Sequence, residues 1–202
     1  MIGIIDYDAG NLMSVRNSLR YLGFDCVVSD KPNALSECEK LILPGVGAFP
    51  SAMTKLNERG LDEFIIKSVD KGIPLLGICL GMQVLFEVGN EVDRASGLGL
   101  LKGEVRLIET KYKLPHIGWN SLEIRNAECE LLNNVQNNSY MYFVHSYMCE
   151  CFEPSDIVAI ADYGEPITAI VQKGNVFGCQ FHPEKSSDIG LKIYENYAKS
   201  KM

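Results

Sequence analysis

At 202 residues, 47% apolar and 22% charged, the chain has the make-up of a globular α/β protein with one sizeable core. A net charge of −7 without a basic run argues against a nucleic-acid or anionic-membrane partner. No apolar run reaches transmembrane length, the opening residues lack the regions of a secretion signal, and seven cysteines without paired C-x-x-C spacing fit reduced thiols in a cytosolic, cytoplasmic enzyme.

Residues 2–6 read as a first strand, followed by the polar turn Tyr7-Asp8-Ala9-Gly10 and a helix with Leu12, Val15, Leu19 and Leu22 on one face. Gly23 closes that helix, and strands follow at 26–28 and 41–43. The third strand stops at Pro44-Gly45-Val46-Gly47, where a proline and two glycines present backbone amides at a carboxyl strand end, the edge at which open α/β sheets bind ligands. Helical patterns then run through Phe49, Met53 and Leu56, and through Leu61, Phe64, Ile65 and Val69, closing at Gly72 and Pro74. The stretch 73–87 reads as a strand, a tight turn and an amphipathic helix carrying Met82, Leu85 and Phe86, with Cys79 at the apex between Gly77 and Gly81. From Glu104 onward short alternating runs broken by turns predict antiparallel strands at 105–108, 121–124, 140–147, 157–161, 168–172 and 176–180, and a last helix over 188–200. With no repeat or linker, the expected organisation is one domain over 1–202, with a mostly parallel open sheet and an antiparallel extension in the second half.

A strand-to-helix turn exposes its central residue, and unpaired amides at the helix start favour a thiolate there and can hold an oxyanion. Taken alone, Gly77-Ile78-Cys79-Leu80-Gly81 is read equally well as a buried cysteine with packing glycines. The base decides between the two. His182 follows a predicted strand at once, Pro183 fixes the backbone, and Glu184 stands two residues on, where its carboxylate can orient the imidazole. His145 reads as a mid-strand residue that packs or lines a substrate, and His116 as a loop residue beside Trp119. The cysteines and three histidines form no ligand cluster, so neither metal nor cofactor is expected. Cys149 and Cys151 read as packing residues.

Gly77 to Gln83, Pro44 to Gly47 and His182-Pro183-Glu184 together resemble the triad-type class I glutamine amidotransferases, over nearly the whole chain. Met82, with Asp6-Tyr7-Asp8-Ala9-Gly10-Asn11, Pro115-His116-Ile117-Gly118-Trp119-Asn120 and Tyr142-Phe143-Val144-His145-Ser146-Tyr147, narrows the resemblance to the glutaminase subunits of imidazole glycerol phosphate synthases in histidine biosynthesis. The resemblance implies a flavodoxin-like sheet and a catalytic triad of Cys79, His182 and Glu184 acting on L-glutamine. It also implies an oxyanion hole from the Leu80 amide and the Gly45, Val46 and Gly47 loop, and glutamine contacts at Gln83, Gly81, Ser146 and Tyr147. The implied partner is a (β/α)8 cyclase subunit that receives ammonia, with Asn11, Trp119, Asn120, Tyr140 and Lys185 at the interface. A paralogous amidotransferase feeding another synthase, for example one forming an amino sugar, stays open. So do a cysteine peptidase, against which Gln83 and the Pro44 to Gly47 loop argue, and an inactive interaction module, against which the full triad argues.

Overall fold

Short runs of aliphatic residues joined by amphipathic helices build the first half of the chain. The computed structural model describes residues 1–8 and 10–201, so Ala9 of the predicted Tyr7 to Gly10 turn lies outside the described residues. In chain order the parallel half contains β1 (Ile2–Ile5), α1 (Leu12–Tyr21), β2 (Cys26–Ser29), α2 (Pro32–Leu35), β3 (Lys40–Gly45), α3 (Phe49–Glu58), α4 (Leu61–Asp70) and β4 (Leu75–Cys79). Every residue of β1, β3 and β4 is buried. That is the signature of parallel strands covered on both faces, and it explains why their sequences read as unbroken apolar runs.

After β4 come α5 (Leu80–Gln83), β5 (Phe86–Gly89), β6 (Ala95–Ser96), β7 (Leu101–Leu107), β8 (His116–Ser121) and β9 (Glu123–Ile124). Then follow β10 (Tyr140–His145), β11 (Tyr147–Cys151), β12 (Ile157–Asp162), β13 (Pro166–Lys173), β14 (Val176–Cys179) and α6 (Ser187–Lys199). The main sheet runs β2-β1-β3-β4-β14-β13-β12-β9. The pairs from β2 to β14 are parallel and the remaining three antiparallel, as expected for a parallel core with an antiparallel extension. A four-stranded sheet (β11-β7-β5-β6) and the pair β10-β8 stand beside it. Two apolar clusters fill the faces of the main sheet. One lies under α1 and α6, around Val15, Phe177, Ile193 and Tyr197, and the other under α3 and α4, around Phe49, Leu56 and Ile65.

Four expectations need correction. The helix after Cys79 is one turn long, and Phe86 already belongs to β5, which pairs in parallel with β7. Residues 80–86 are all buried, so the pattern has no polar face to reveal its period, and the β-prone Phe86 and Val88 form a strand where the helix is expected to continue. The expected strands 140–147 and 121–124 each fall into two pieces, broken at Ser146 and at Leu122, and the pieces belong to different sheets. His116 is not in a loop but opens β8, paired with His145 and buried.

Candidate active site

β3 and β4 are neighbours in register, with Gly45 opposite Cys79, so the Pro44 to Gly47 loop and the cysteine share one carboxyl edge of the sheet. Cys79 has φ 54° and ψ −113°, a conformation rarely held by a residue with a side chain. Packing holds it there. A Cβ at Gly81 would stand 1.8 Å from the carbonyl oxygen of Leu43, so only glycine lets the turn press against β3. A helix of four residues has little macrodipole, so the unpaired amides at its start are what this end offers an anion.

The base side is held by side chains. His182 Nδ1 and Glu184 Oε1 lie 2.8 Å apart, and Tyr194 Oη donates to Glu184 Oε2 at 2.9 Å. Asn11 Nδ2 donates to Glu184 Oε1 as well. Burial opposes the charged imidazole, but the interactions with Cys79 and Glu184 outweigh it and raise the His182 pKa to about 9. Burial likewise opposes the Glu184 carboxylate, and its hydrogen bonds from His182 and Tyr194 outweigh that and hold its pKa below the usual range. His182 Nε2, the nitrogen not engaged by Glu184, is buried without a hydrogen-bond partner among the described residues. The arrangement is a thiol, an imidazole and an orienting carboxylate in series.

Cys79 and His182 line a pocket of about 410 Å³, and Val46, Gly47, Leu80, Gln83, Ser146, Tyr147 and Lys185 share its wall. The volume suits a small polar substrate. A second cleft, of about 470 Å³, lies along α6 between Glu130 and Lys192 and is lined by neither cysteine nor histidine.

A family model of class-I glutamine amidotransferases matches residues 3–198. The chain belongs to that family. It is 48% identical over 198 residues to the imidazole glycerol phosphate synthase subunit HisH of Bacillus cereus (strain B4264), covering 98% of this chain and 93% of the relative. It is 49% identical over 199 residues to the HisH subunit of Desulfitobacterium hafniense (strain Y51), covering 98% and 94%. At that likeness this amidotransferase belongs to the HisH branch. Among solved structures, a glutamine amidotransferase crystal structure superposes with a TM-score of 0.76 at 20% identity, covering 98% of both chains. PurLQS from Thermotoga maritima gives 0.74 at 21%, covering 98% of this chain and 96% of that one. Those two share the fold.

In this amidotransferase, two of the sequence-derived site residues lie beneath the pocket rather than on its wall. Gly45 ends β3, where an added Cβ would meet the Tyr7 hydroxyl at 2.3 Å, and Gly81 is the contact to Leu43. Asn11 is drawn inward by Glu184, and Asn120 by His116 Nε2 (3.3 Å) and the Asp162 carbonyl (2.7 Å). Trp119 and Tyr140 are exposed on the outer face of the β8-β10 pair, edge-on contact between Trp119 and Tyr142 tying the strands together. The Lys185 ammonium lies 5.7 Å from the Tyr142 ring centroid at the pocket rim.

Sequence reasoning missed four contributors. Gln180, fully buried, donates to Cys79 Sγ at 3.7 Å and accepts from Gln83 Nε2 at 3.0 Å. A lone amide within the apolar run from Val176 to Phe181 was the available signal. Tyr194 sits on the α6 stripe, where an aromatic reads as core. Glu91 reaches the pocket wall while accepting from the Phe49 amide at 2.7 Å. His116 is the fourth, and its partner is His145. Among the described residues no helix is long and apolar enough to cross a membrane.

Proposed function

We propose that the chain, acting over 1–202 as one amidotransferase domain, hydrolyses L-glutamine through Cys79, His182 and Glu184. We propose further that it hands the ammonia to a (β/α)8 cyclase subunit forming imidazole glycerol phosphate and an aminoimidazole carboxamide ribotide. The observation that carries this reading is the strained Cys79 facing an imidazole whose other nitrogen is fixed by a buried carboxylate. The Cys79 thiolate attacks the side-chain amide carbon of glutamine. His182 Nε2 gives its proton to the amide nitrogen, which leaves as ammonia, and a glutamyl thioester remains. The same nitrogen takes a proton from water, which attacks the thioester; glutamate leaves and the thiolate returns.

The negative oxygen of each tetrahedral step is met by the Leu80 amide and by an amide of the Gly45, Val46 and Gly47 loop, donors of a kind worth about 2.7–4 kcal/mol each. Gln83, Ser146 and Tyr147 seat the substrate. Ammonia is useful only unprotonated, which calls for a docked acceptor. The exposed Ile117, Trp119 and Tyr140 face of β8-β10, with Lys185 at the rim, suits that partner, and the relatives' printed name as a synthase subunit supports it. All seven cysteines are free thiols, as suits a reducing cytoplasm. In the test, Cys79→Ala abolishes glutamine-dependent synthesis by the complex while added ammonium still supports turnover. Loss of both activities would make Cys79 structural.

A further inference from the structure

One hydrogen-bonded chain runs from β8 to the nucleophile, and its direction is forced at both ends. Tyr147 O can only accept, so His145, whose Nδ1 lies 2.9 Å away, carries its proton on Nδ1. Its Nε2 is then an acceptor when the ring is neutral, and His116 Nδ1, at 3.0 Å, must be the donor. That leaves His116 Nε2 to accept from Asn120 Nδ2 at 3.3 Å. The Asn120 amide is itself oriented from both sides. Its oxygen accepts from the Ser121 N–H at 2.8 Å and its nitrogen donates to Asp162 O at 2.7 Å.

The carbonyl at the other end has a second donor. Gln83 Nε2 donates to Tyr147 O at 2.9 Å and to Gln180 Oε1 at 3.0 Å, and Gln180 Nε2 reaches Cys79 Sγ. His116 is clamped as well as bonded. Its ring stacks on Tyr163 (3.9 Å, 22°) and on Phe143 (4.9 Å, 16°), and burial pushes both histidines down to about 4. A proton added to either ring would set two donors against each other, so the chain works only with both neutral.

We propose that His116 and His145 are positioning residues that hold the Tyr147 carbonyl, and with it the Gln83 amide, in place for glutamine, and that they anchor this seat to β8 beneath the exposed Trp119 face. The proposal rests on the glutaminase reading above. Its structural core is testable apart from it, by nitrogen-15 NMR of the native full-length chain, whose three histidines are separable with single variants. At pH 7 the rings of His116 and His145 are expected neutral with the proton on Nδ1. A proton on Nε2 of either, or a charged ring, overturns the relay.

Its functional half is tested in the complex with the cyclase and its acceptor. His116→Phe keeps the stacking and loses both bonds, and is expected to raise the KM for glutamine about tenfold, with kcat changed less than about threefold. His116→Asn, which keeps a donor toward His145, should restore most of the loss. Because His116 and Gln83 act on one carbonyl, His116→Phe combined with Gln83→Ala should be no worse than Gln83→Ala alone. An unchanged KM in His116→Phe, or effects that multiply in the double variant, overturns the positioning role. Failure of the wild-type complex to hydrolyse glutamine would instead sink the glutaminase reading and leave the tautomer result standing.

Discussion

The two sides of the site are held by different physics. Cys79 is placed by backbone: a strained φ, a neighbouring glycine pressed against Leu43 O, and a register that sets it opposite Gly45. His182 is placed by side chains from three elements: Glu184 after β14, Tyr194 on α6 and Asn11 at the start of α1. Backbone placement is all-or-none, because a close-packed turn has no room to relax. Side-chain placement is graded, because each hydrogen bond is removed separately.

The largest effect is expected on the backbone side. Gly81→Ala puts a Cβ into the Leu43 carbonyl, so either β3 and the turn separate or the protein fails to fold. Glutaminase activity should fall below about a thousandth of wild type, beyond what loss of one oxyanion donor costs. Wild-type activity in a well-folded Gly81→Ala protein would break the distinction.

On the side-chain side the losses should descend in steps. Glu184→Gln removes the charge that holds up the His182 pKa and is expected to lower kcat on the order of a hundredfold. The direction of its pH effect follows from the same interaction. The wild-type imidazolium, with a pKa of about 9, serves as acid until that pH, so activity declines above it. Without the carboxylate the decline starts at lower pH. A profile of kcat/KM in both proteins checks this, and an unmoved alkaline limb would remove Glu184 from its orienting role.

Tyr194→Phe is the smallest change. It deletes one bond to a carboxylate that keeps its others, at a cost of about 1.5–3 kcal/mol or less, read as a modest fall in activity and in thermal midpoint.

The same division explains what could be read in the sequence. The backbone side was legible, because β1, β3 and β4 are unbroken apolar runs and the elbow is marked by Gly77 and Gly81 around Cys79. His182 and Glu184 were legible too, being two residues apart. Contacts between distant residues were not. Nothing local marks Tyr194 or Asn11 as partners of Glu184, and the His116 to His145 contact exists only because β8 pairs with β10. The one-turn α5 escaped for another reason, since complete burial erases the periodicity that separates helix from strand. The break at Ser146 escaped because apolar and aromatic residues lie on both sides of it, from Tyr142 to Val144 and at Tyr147 and Met148, with no glycine or proline to mark the change of sheet.

The central claim is that Cys79, alone among the seven cysteines, is a nucleophile aimed into a glutamine pocket. The direct measurement is intact and peptide mass spectrometry after exposing the complex, with acceptor bound, to an electrophilic glutamine analogue. Burial raises the thiol pKa of Cys26, Cys38, Cys129, Cys149, Cys151 and Cys179, which slows their reaction. The account predicts a single adduct on Cys79 that excess glutamine suppresses. No adduct, or labelling spread over the half-exposed Cys26 and Cys151 with Cys79 untouched, would contradict it.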